Sequence, residues 1–231
     1  MWVKICANTN LEDAQLAAAA GADAVGFVFA ESSRRVTPAQ VRAITPHLAE
    51  SIGKYGVFVD TAFDEIVATV EECGLTGVQL HASKDSVLPL KLRERFPKAS
   101  GRDGLGILRV IHYSQDLEAQ LREVQIDAAI DGVLVDTRTA TLLGGTGLRF
   151  DWRAARSSFS SVASRLRLIA AGGLNSENVG EAIETLRPWG VDVATGVEAA
   201  PGKKDPEKIR AFVTNARIAA HKAKLEETVE V

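Results

Sequence analysis

Three residues able to move a proton or hold an anion stand where short apolar runs stop. Cys6 follows Val3-Lys4-Ile5, Asp136 follows Gly132-Val133-Leu134-Val135, and Arg34 lies a few residues past the run Ala24 to Phe29. A carboxyl group at Asp136 could act as a general acid, since a strand end gives it partial desolvation. A thiol of ordinary pKa, about 8.5, is only a few per cent thiolate at neutral pH, so Cys6 needs help to act as a base. Arg34 can fork onto a carboxylate or phosphate. Each also has a plain reading: a turn-capping aspartate, a small buried hydrophobe, an exposed loop arginine.

A phosphate site is written in the stretch Leu166 to Asp205. The apolar run Leu168-Ile169-Ala170-Ala171 ends in Gly172-Gly173, and Asn175-Ser176-Glu177 can cap a helix with Val179, Ala182, Ile183 and Leu186 on one face. Pro188-Trp189-Gly190 stops that helix. A second strand, Val191 to Ala194, ends in another glycine turn, Thr195-Gly196-Val197-Glu198. Two neighbouring parallel strands then offer backbone amides of the Gly173 and Gly196 turns at one edge, and a short helical segment after Gly196 could add its own N–H groups.

These groups must be positioned by the elements around them. Strand and helix patterns alternate eight times, with strand starts recurring about every 27 residues. The strands read as Met1 to Cys6, Ala24 to Phe29, Tyr55 to Val59, Thr76 to Leu80, Leu105 to Val110, Ala129 to Val135, Leu168 to Ala171 and Val191 to Ala194. The helices between them include Pro38 to Glu50, and the last runs from Pro206 to Ala223. The fold class is α/β, a single (β/α)8 TIM barrel over 1–221 with a charged tail over 222–231. In such a barrel reactive groups sit where strands end. Cys6, Arg34, His81, Asp136, Gly173 and Gly196 all meet that condition. Strand parity turns Lys4 and Cys6 to one side and Val3 and Ile5 to the other. If the apolar pair faces the helices, Lys4 is inside the barrel and needs a carboxylate, for which Asp192 on the last strand is the candidate. His81, ending Gly77-Val78-Gln79-Leu80, can bond a ligand or cap a turn. The loop Leu143 to Gly147, with Gly145 at its centre, can fold over a ligand.

Composition narrows the partners. The formal charge is −3 and no basic run is long enough to follow a nucleic-acid backbone. No apolar run approaches the roughly 20 residues that span a bilayer, and the N-terminus enters a strand without a signal pattern, so a cytoplasmic protein with neither nucleic-acid nor membrane partners is expected. Cys6 and Cys73 lie far apart without metal-binding spacing.

Taken together, the chain resembles the phosphoribosylanthranilate isomerase family, a tryptophan-pathway group built on the TIM barrel. The resemblance runs nearly end to end, through Val3 to Cys6, Gly21 to Phe29 with Arg34 to Pro38, Gly56 to Val59, Val78 to His81, Leu134 to Asp136, Gly144 to Gly147 with Phe150 to Trp152, Ala171 to Asn175 with Glu177 to Val179, and Gly190 to Val193 with Gly196 to Glu198 and Pro201-Gly202. It implies an Amadori rearrangement of N-(5-phosphoribosyl)anthranilate without metal or organic cofactor. Asp136 would be the acid, Cys6 the base, Arg34 the holder of the anthranilate carboxylate, and the turns at Gly173 and Gly196 the phosphate site. His81, Gly145 and Asp192 would line the substrate. Monomer and homodimer are both compatible with the sequence. The chain departs from the family's usual pattern in Ala7-Asn8 after the base, where a glycine and an apolar residue are usual. It also departs in Asp60 for asparagine, in Ala82 for glycine, in Ser33 for proline in a shortened Arg34 loop, and in a longer segment Lys98 to Gly106.

Other barrels fit less well. The histidine-pathway sugar isomerase ends its first strand in aspartate, where Cys6 stands here. A metal-dependent pentose-phosphate epimerase wants ligands at several strand ends, and Gly26 to Phe29 supplies none. A Schiff-base aldolase wants a lysine where Asp136 stands. A non-catalytic phosphate sensor has no use for both proton-transfer groups.

Overall fold

The structure, a computed structural model, describes residues 1–81, 85–98, 104–114, 116–125, 127–136, 152–162 and 166–229. Eight parallel strands close into a barrel in chain order: β1 (Trp2–Ile5), β2 (Ala24–Val28), β3 (Gly53–Val59), β4 (Gly77–His81), β5 (Gly106–His112), β6 (Gly132–Asp136), β7 (Arg167–Ala171) and β8 (Gly190–Val193). Seven helices follow the first seven strands: α1 (Leu11–Ala19), α2 (Pro38–Ile44), α3 (Phe63–Cys73), α4 (Leu88–Arg95), α5 (Leu117–Gln125), α6 (Trp152–Val162) and α7 (Val179–Leu186). After β8 come a small hairpin, β9 (Glu198–Ala200) with β10 (Lys203–Lys204), and then α8 (Pro206–Val229). This is a (β/α)8 TIM barrel. Among the described residues no helix is long and apolar enough to cross a membrane.

Period-two alternation sorts the strand residues into two cores. Val3, Ile5, Val25, Phe27, Val78, Ile107, Val133, Val135, Leu168 and Val191 point outward, into the main apolar core shared with the helices. Each such fully buried side chain contributes about 1.5–3 kcal/mol of transfer free energy. The alternate residues fill the barrel itself. Leu108, Val110, Leu134, Ile169 and Ala171 form a separate interior cluster, closed at the N-terminal end by Trp2 and Tyr55. Register places Lys4 beside Asp192 across the β1–β8 seam that closes the barrel.

Four local differences from the sequence reading have physical causes. The helix expected over Pro38 to Glu50 ends at Ile44 and tightens into a 3-10 turn, Thr45–His47, because Pro46 has no N–H to continue the ladder. The turn after β8 does not open into a helix: it is itself a 3-10 turn, Thr195–Val197, closed by the Glu198 N–H on the Thr195 carbonyl and followed by the β9–β10 hairpin. α7 begins at Val179, one turn past Asn175. The Asn175 side chain accepts from the N–H groups of Glu177 and Asn178, and the expected face of Val179, Ala182, Ile183 and Leu186 is buried. α8 continues beyond Ala223 to Val229. It packs along α7, with Ala219 and Ala223 buried and Lys222 paired to Glu184 at 2.8 Å.

Candidate active site

Cys6 leaves the end of β1 with its N–H bonded to the Val193 carbonyl at 2.7 Å, which ties it to β8. Two residues earlier on the same face, the Lys4 ammonium is wholly buried. It donates to Asp192 Oδ1 at 2.7 Å and to Gln79 Oε1 at 2.9 Å. Room for this pair comes from Gly26 on β2: a Cβ there would lie 2.7 Å from Cys6 Sγ and 3.0 Å from Lys4 Nζ. Burial alone would lower the Lys4 pKa, but the charge and hydrogen bond of Asp192, with the neighbouring thiol, outweigh it and hold Lys4 above its ordinary value. Burial pushes the Cys6 thiol up, against the pull of the Lys4 and Lys204 charges towards the thiolate.

The turn beside Cys6 bears on the departure at Ala7-Asn8. Ala7 has φ of +60°, a conformation natural to glycine, which costs an L-residue about 1–2 kcal/mol. Asn8 beside it is fully buried, and its amide N–H groups donate to the carbonyls of Ile5 at 2.8 Å and Gly26 at 3.2 Å. Asp60 is also left-handed at φ +46°, which aspartate, like asparagine, tolerates better than most.

Asp136 is the last residue of β6, in register with His112 of β5 and Ala171 of β7, and it is buried. His81 ends β4. Its Nε2 lies 3.0 Å from the Gln79 side-chain nitrogen, so the polar chain Asp192–Lys4–Gln79–His81 crosses the interior from β8 through β1 to β4. His112, without a pattern in the sequence, stands with its ring 6.3 Å from that of His81.

The two glycine turns touch. Gly172 and Gly173 have φ of +84° and +66°, which turns the backbone at the end of β7. Gly196 packs against that turn so closely that a Cβ would lie 1.9 Å from the Leu174 carbonyl oxygen, so only glycine fits. Arg34 comes from the loop after β2, two strands from β8 around the barrel. Its loop is pinned by the Val36 N–H on the Val28 carbonyl at 2.9 Å, and α2 starts just beyond it with a Thr37–Gln40 capping box. The guanidinium forks onto Glu198, Nε to Oε1 at 2.8 Å and Nη2 to Oε2 at 2.7 Å.

One cavity at the C-terminal end of the strands is lined by Cys6, Arg34, His81, Asp136, Gly173 and Asp192. Gly196 stands behind it, next to the lining residue Thr195. Gly145 and Ala82 lie outside the described residues. Sequence reading missed Gln79, Glu198 and Lys204 as parts of this site. Gln79 carried a signal, a polar residue on the inward parity of β4. The Arg34–Glu198 pair joins residues 164 apart and left none. Lys204, in a doubly charged hairpin strand, looks like surface yet is buried. A larger cavity opens at the opposite end among Trp2, Tyr55, Leu108, Arg167 and Trp189. Two of its carboxylates are in ion pairs, Asp131 with Arg93 and Lys98, and Glu71 with Arg95, while Glu50 lines its rim.

A closed parallel barrel with a thiol, a carboxyl group, an arginine and a double glycine turn around the mouth at the strand C-termini has the architecture of a TIM-barrel enzyme. Residues 3–215 match the N-(5'phosphoribosyl)anthranilate (PRA) isomerase family, and the chain belongs to it. A relative from Pelobacter propionicus, N-(5'-phosphoribosyl)anthranilate isomerase, is 41% identical over 93% of this chain and 95% of its own. The crystal structure of phosphoribosyl anthranilate isomerase from Thermotoga maritima superposes with a TM-score of 0.80 at 38% identity, covering 94% of this chain and 98% of that one. A phosphoribosyl anthranilate isomerase in complex with reduced 1-(o-carboxyphenylamino)-1-deoxyribulose 5-phosphate gives 0.77 at 35% identity, with the same coverage.

Proposed function

We propose that this chain is the isomerase that converts N-(5-phosphoribosyl)anthranilate to 1-(2-carboxyphenylamino)-1-deoxyribulose 5-phosphate in tryptophan biosynthesis. The observation that carries the reading is that Cys6 and Asp136 line one cavity, between Arg34 and the Gly173 turn. Asp136 protonates the ring oxygen of the ribose as the C1–O bond breaks, and the anilino nitrogen supplies electrons to form a Schiff base. Cys6 as thiolate then takes the proton from C2, giving an enol that tautomerises to the ketone. Acid and base steps of this kind each contribute about 10²–10⁴-fold. Arg34 holds the anthranilate carboxylate, and the turns at Gly173 and Gly196 hold the phosphate. His81 and Asp192 border the ribose. Anchoring both charged ends fixes C2 between thiol and carboxyl, so positioning adds to the rate. The Lys4 charge favours the thiolate that burial opposes. No step calls for a metal or organic cofactor.

The chain works as a monomer or homodimer in the cytoplasm, and light scattering on the purified protein distinguishes the two assemblies. Freshly prepared phosphoribosylanthranilate, followed by loss of anthranilate fluorescence, tests the activity. Rapid loss with the purified chain supports the reading, and no loss with a folded chain removes it.

A further inference from the structure

An arginine on a loop is a mobile cation unless something fixes it, and here the fixing group is a carboxylate the proposed reaction does not use. Glu198 takes the Nε and one Nη2 hydrogen of Arg34, and Ser33 Oγ accepts from Nη1 at 3.2 Å. A guanidinium has five N–H groups. Glu198 covers the Nε–Nη2 edge and Ser33 takes one Nη1 hydrogen, so the two N–H groups left over are one on each terminal nitrogen, at the Nη1–Nη2 end that Glu198 does not cover and where a second carboxylate can bind.

The exposures show which partner is the anchor. The Glu198 side chain is 5% exposed, against 22% for Arg34. Glu198 is itself braced by Lys204 Nζ at 3.5 Å and the Gly202 N–H at 3.3 Å, while the Lys208 ammonium donates to its carbonyl at 2.8 Å. Lys204 Nζ also donates to the carbonyl of Ala194, the residue that opens the glycine turn after β8. A carboxylate between two cations in a buried site adds little net stability, because desolvation offsets the Coulomb attraction. Its consequence is geometric: the loop after β2 and the turn after β8 are bolted together at one point.

We infer that Glu198 is a positioning residue that aims the free edge of Arg34 at the substrate's aryl carboxylate and fixes that edge relative to the phosphate turn. The site thereby selects an anion pair of set spacing, an aromatic carboxylate at one end and a phosphate monoester at the other. This rests on the proposed function, through the role given to Arg34.

Steady-state kinetics with phosphoribosylanthranilate on the parent, Glu198→Gln, Arg34→Met and the double variant test it, with circular dichroism confirming folding. A carboxylate grip held equally in ground and transition state appears in KM. Glu198→Gln should raise KM about tenfold or more with kcat within about threefold, and should add less than about twofold in the Arg34→Met background. If Glu198→Gln does not fold, Glu198→Asp, which keeps the charge but cannot reach the fork, should show the same KM effect. An unchanged KM, a loss confined to kcat, or an equal KM loss with Arg34 already removed overturns the inference while the isomerase reading stands. No turnover by the folded parent overturns both.

Discussion

The interior of this barrel has two unlike halves. Along β5, β6 and β7 the inward residues Leu108, Val110, Leu134, Ile169 and Ala171 pack on one another and on Trp2 and Tyr55. Along β1, β4 and β8 the interior carries Lys4, Gln79 and Asp192, joined by hydrogen bonds of 2.7–2.9 Å around a buried ammonium, with Cys6 beside them. The apolar half gains stability from every methylene it buries. The polar half holds charges whose desolvation consumes most of what their attraction returns. The fold tolerates that half because the other half and the helix-facing core supply the stability, leaving β1 and β8 to arrange chemistry. Asp136 ends β6, the middle strand of the apolar half, between His112 and Ala171 at its open end.

The comparison makes opposite demands on substitutions. The largest effect is expected at the proton-transfer groups: Cys6→Ala and Asp136→Asn should each cut turnover by about 10²–10⁴-fold while thermal unfolding stays near that of the parent. A variant with near-normal turnover takes that residue out of the mechanism. Lys4→Met strands Asp192 in the interior and should cost about 3–5 kcal/mol by denaturant unfolding. It should also move alkylation of Cys6 by iodoacetamide to higher pH, measured in a Cys73→Ser background. The direction follows from the charges that face the thiol: Lys4 and Lys204 favour the thiolate and Asp192 opposes it, so losing Lys4 raises an already raised pKa. An unshifted profile would separate Lys4 from the thiol. Ile169→Ala, wholly within the apolar half, should cost about 2–5 kcal/mol of stability and leave kcat within a fewfold for the folded fraction. The smallest change is a gain: Ala7→Gly relieves the +60° φ beside Cys6 and should raise stability by about 1 kcal/mol. A loss there would mean that the Ala7 methyl packs better than the turn strains.

Much of this division was legible in the sequence. Alternation along β1 separated Val3 and Ile5 from Lys4 and Cys6, and a buried lysine next to the last strand of a closed barrel pointed to Asp192. The glycine turns and the strand-end positions of Cys6, His81 and Asp136 followed from the repeat. What alternation could not carry was pairing between distant loops. Glu198 reads as the end of a turn, and only the folded chain brings it to Arg34. Lys204 is buried because the β9–β10 hairpin packs against the start of α1, where its backbone N–H bonds Asp13 at 2.9 Å, a contact between opposite ends of the chain. The extension of α8 past Ala223 was hidden for a similar reason. Its charged residues read as a solvated tail until α7 provides Glu184 for Lys222 and a surface for the alanines.

The central claim, that proton transfer at the mouth is separable from packing inside the barrel, is tested most directly by single-turnover rates on phosphoribosylanthranilate. The parent, Asp136→Asn and Ile169→Ala are compared at equal folded concentration. The account predicts that Ile169→Ala converts substrate about as fast as the parent while Asp136→Asn is slower by at least about 10²-fold. Equal rates for the parent and Asp136→Asn, or a loss in Ile169→Ala as deep as that in Asp136→Asn, would contradict it.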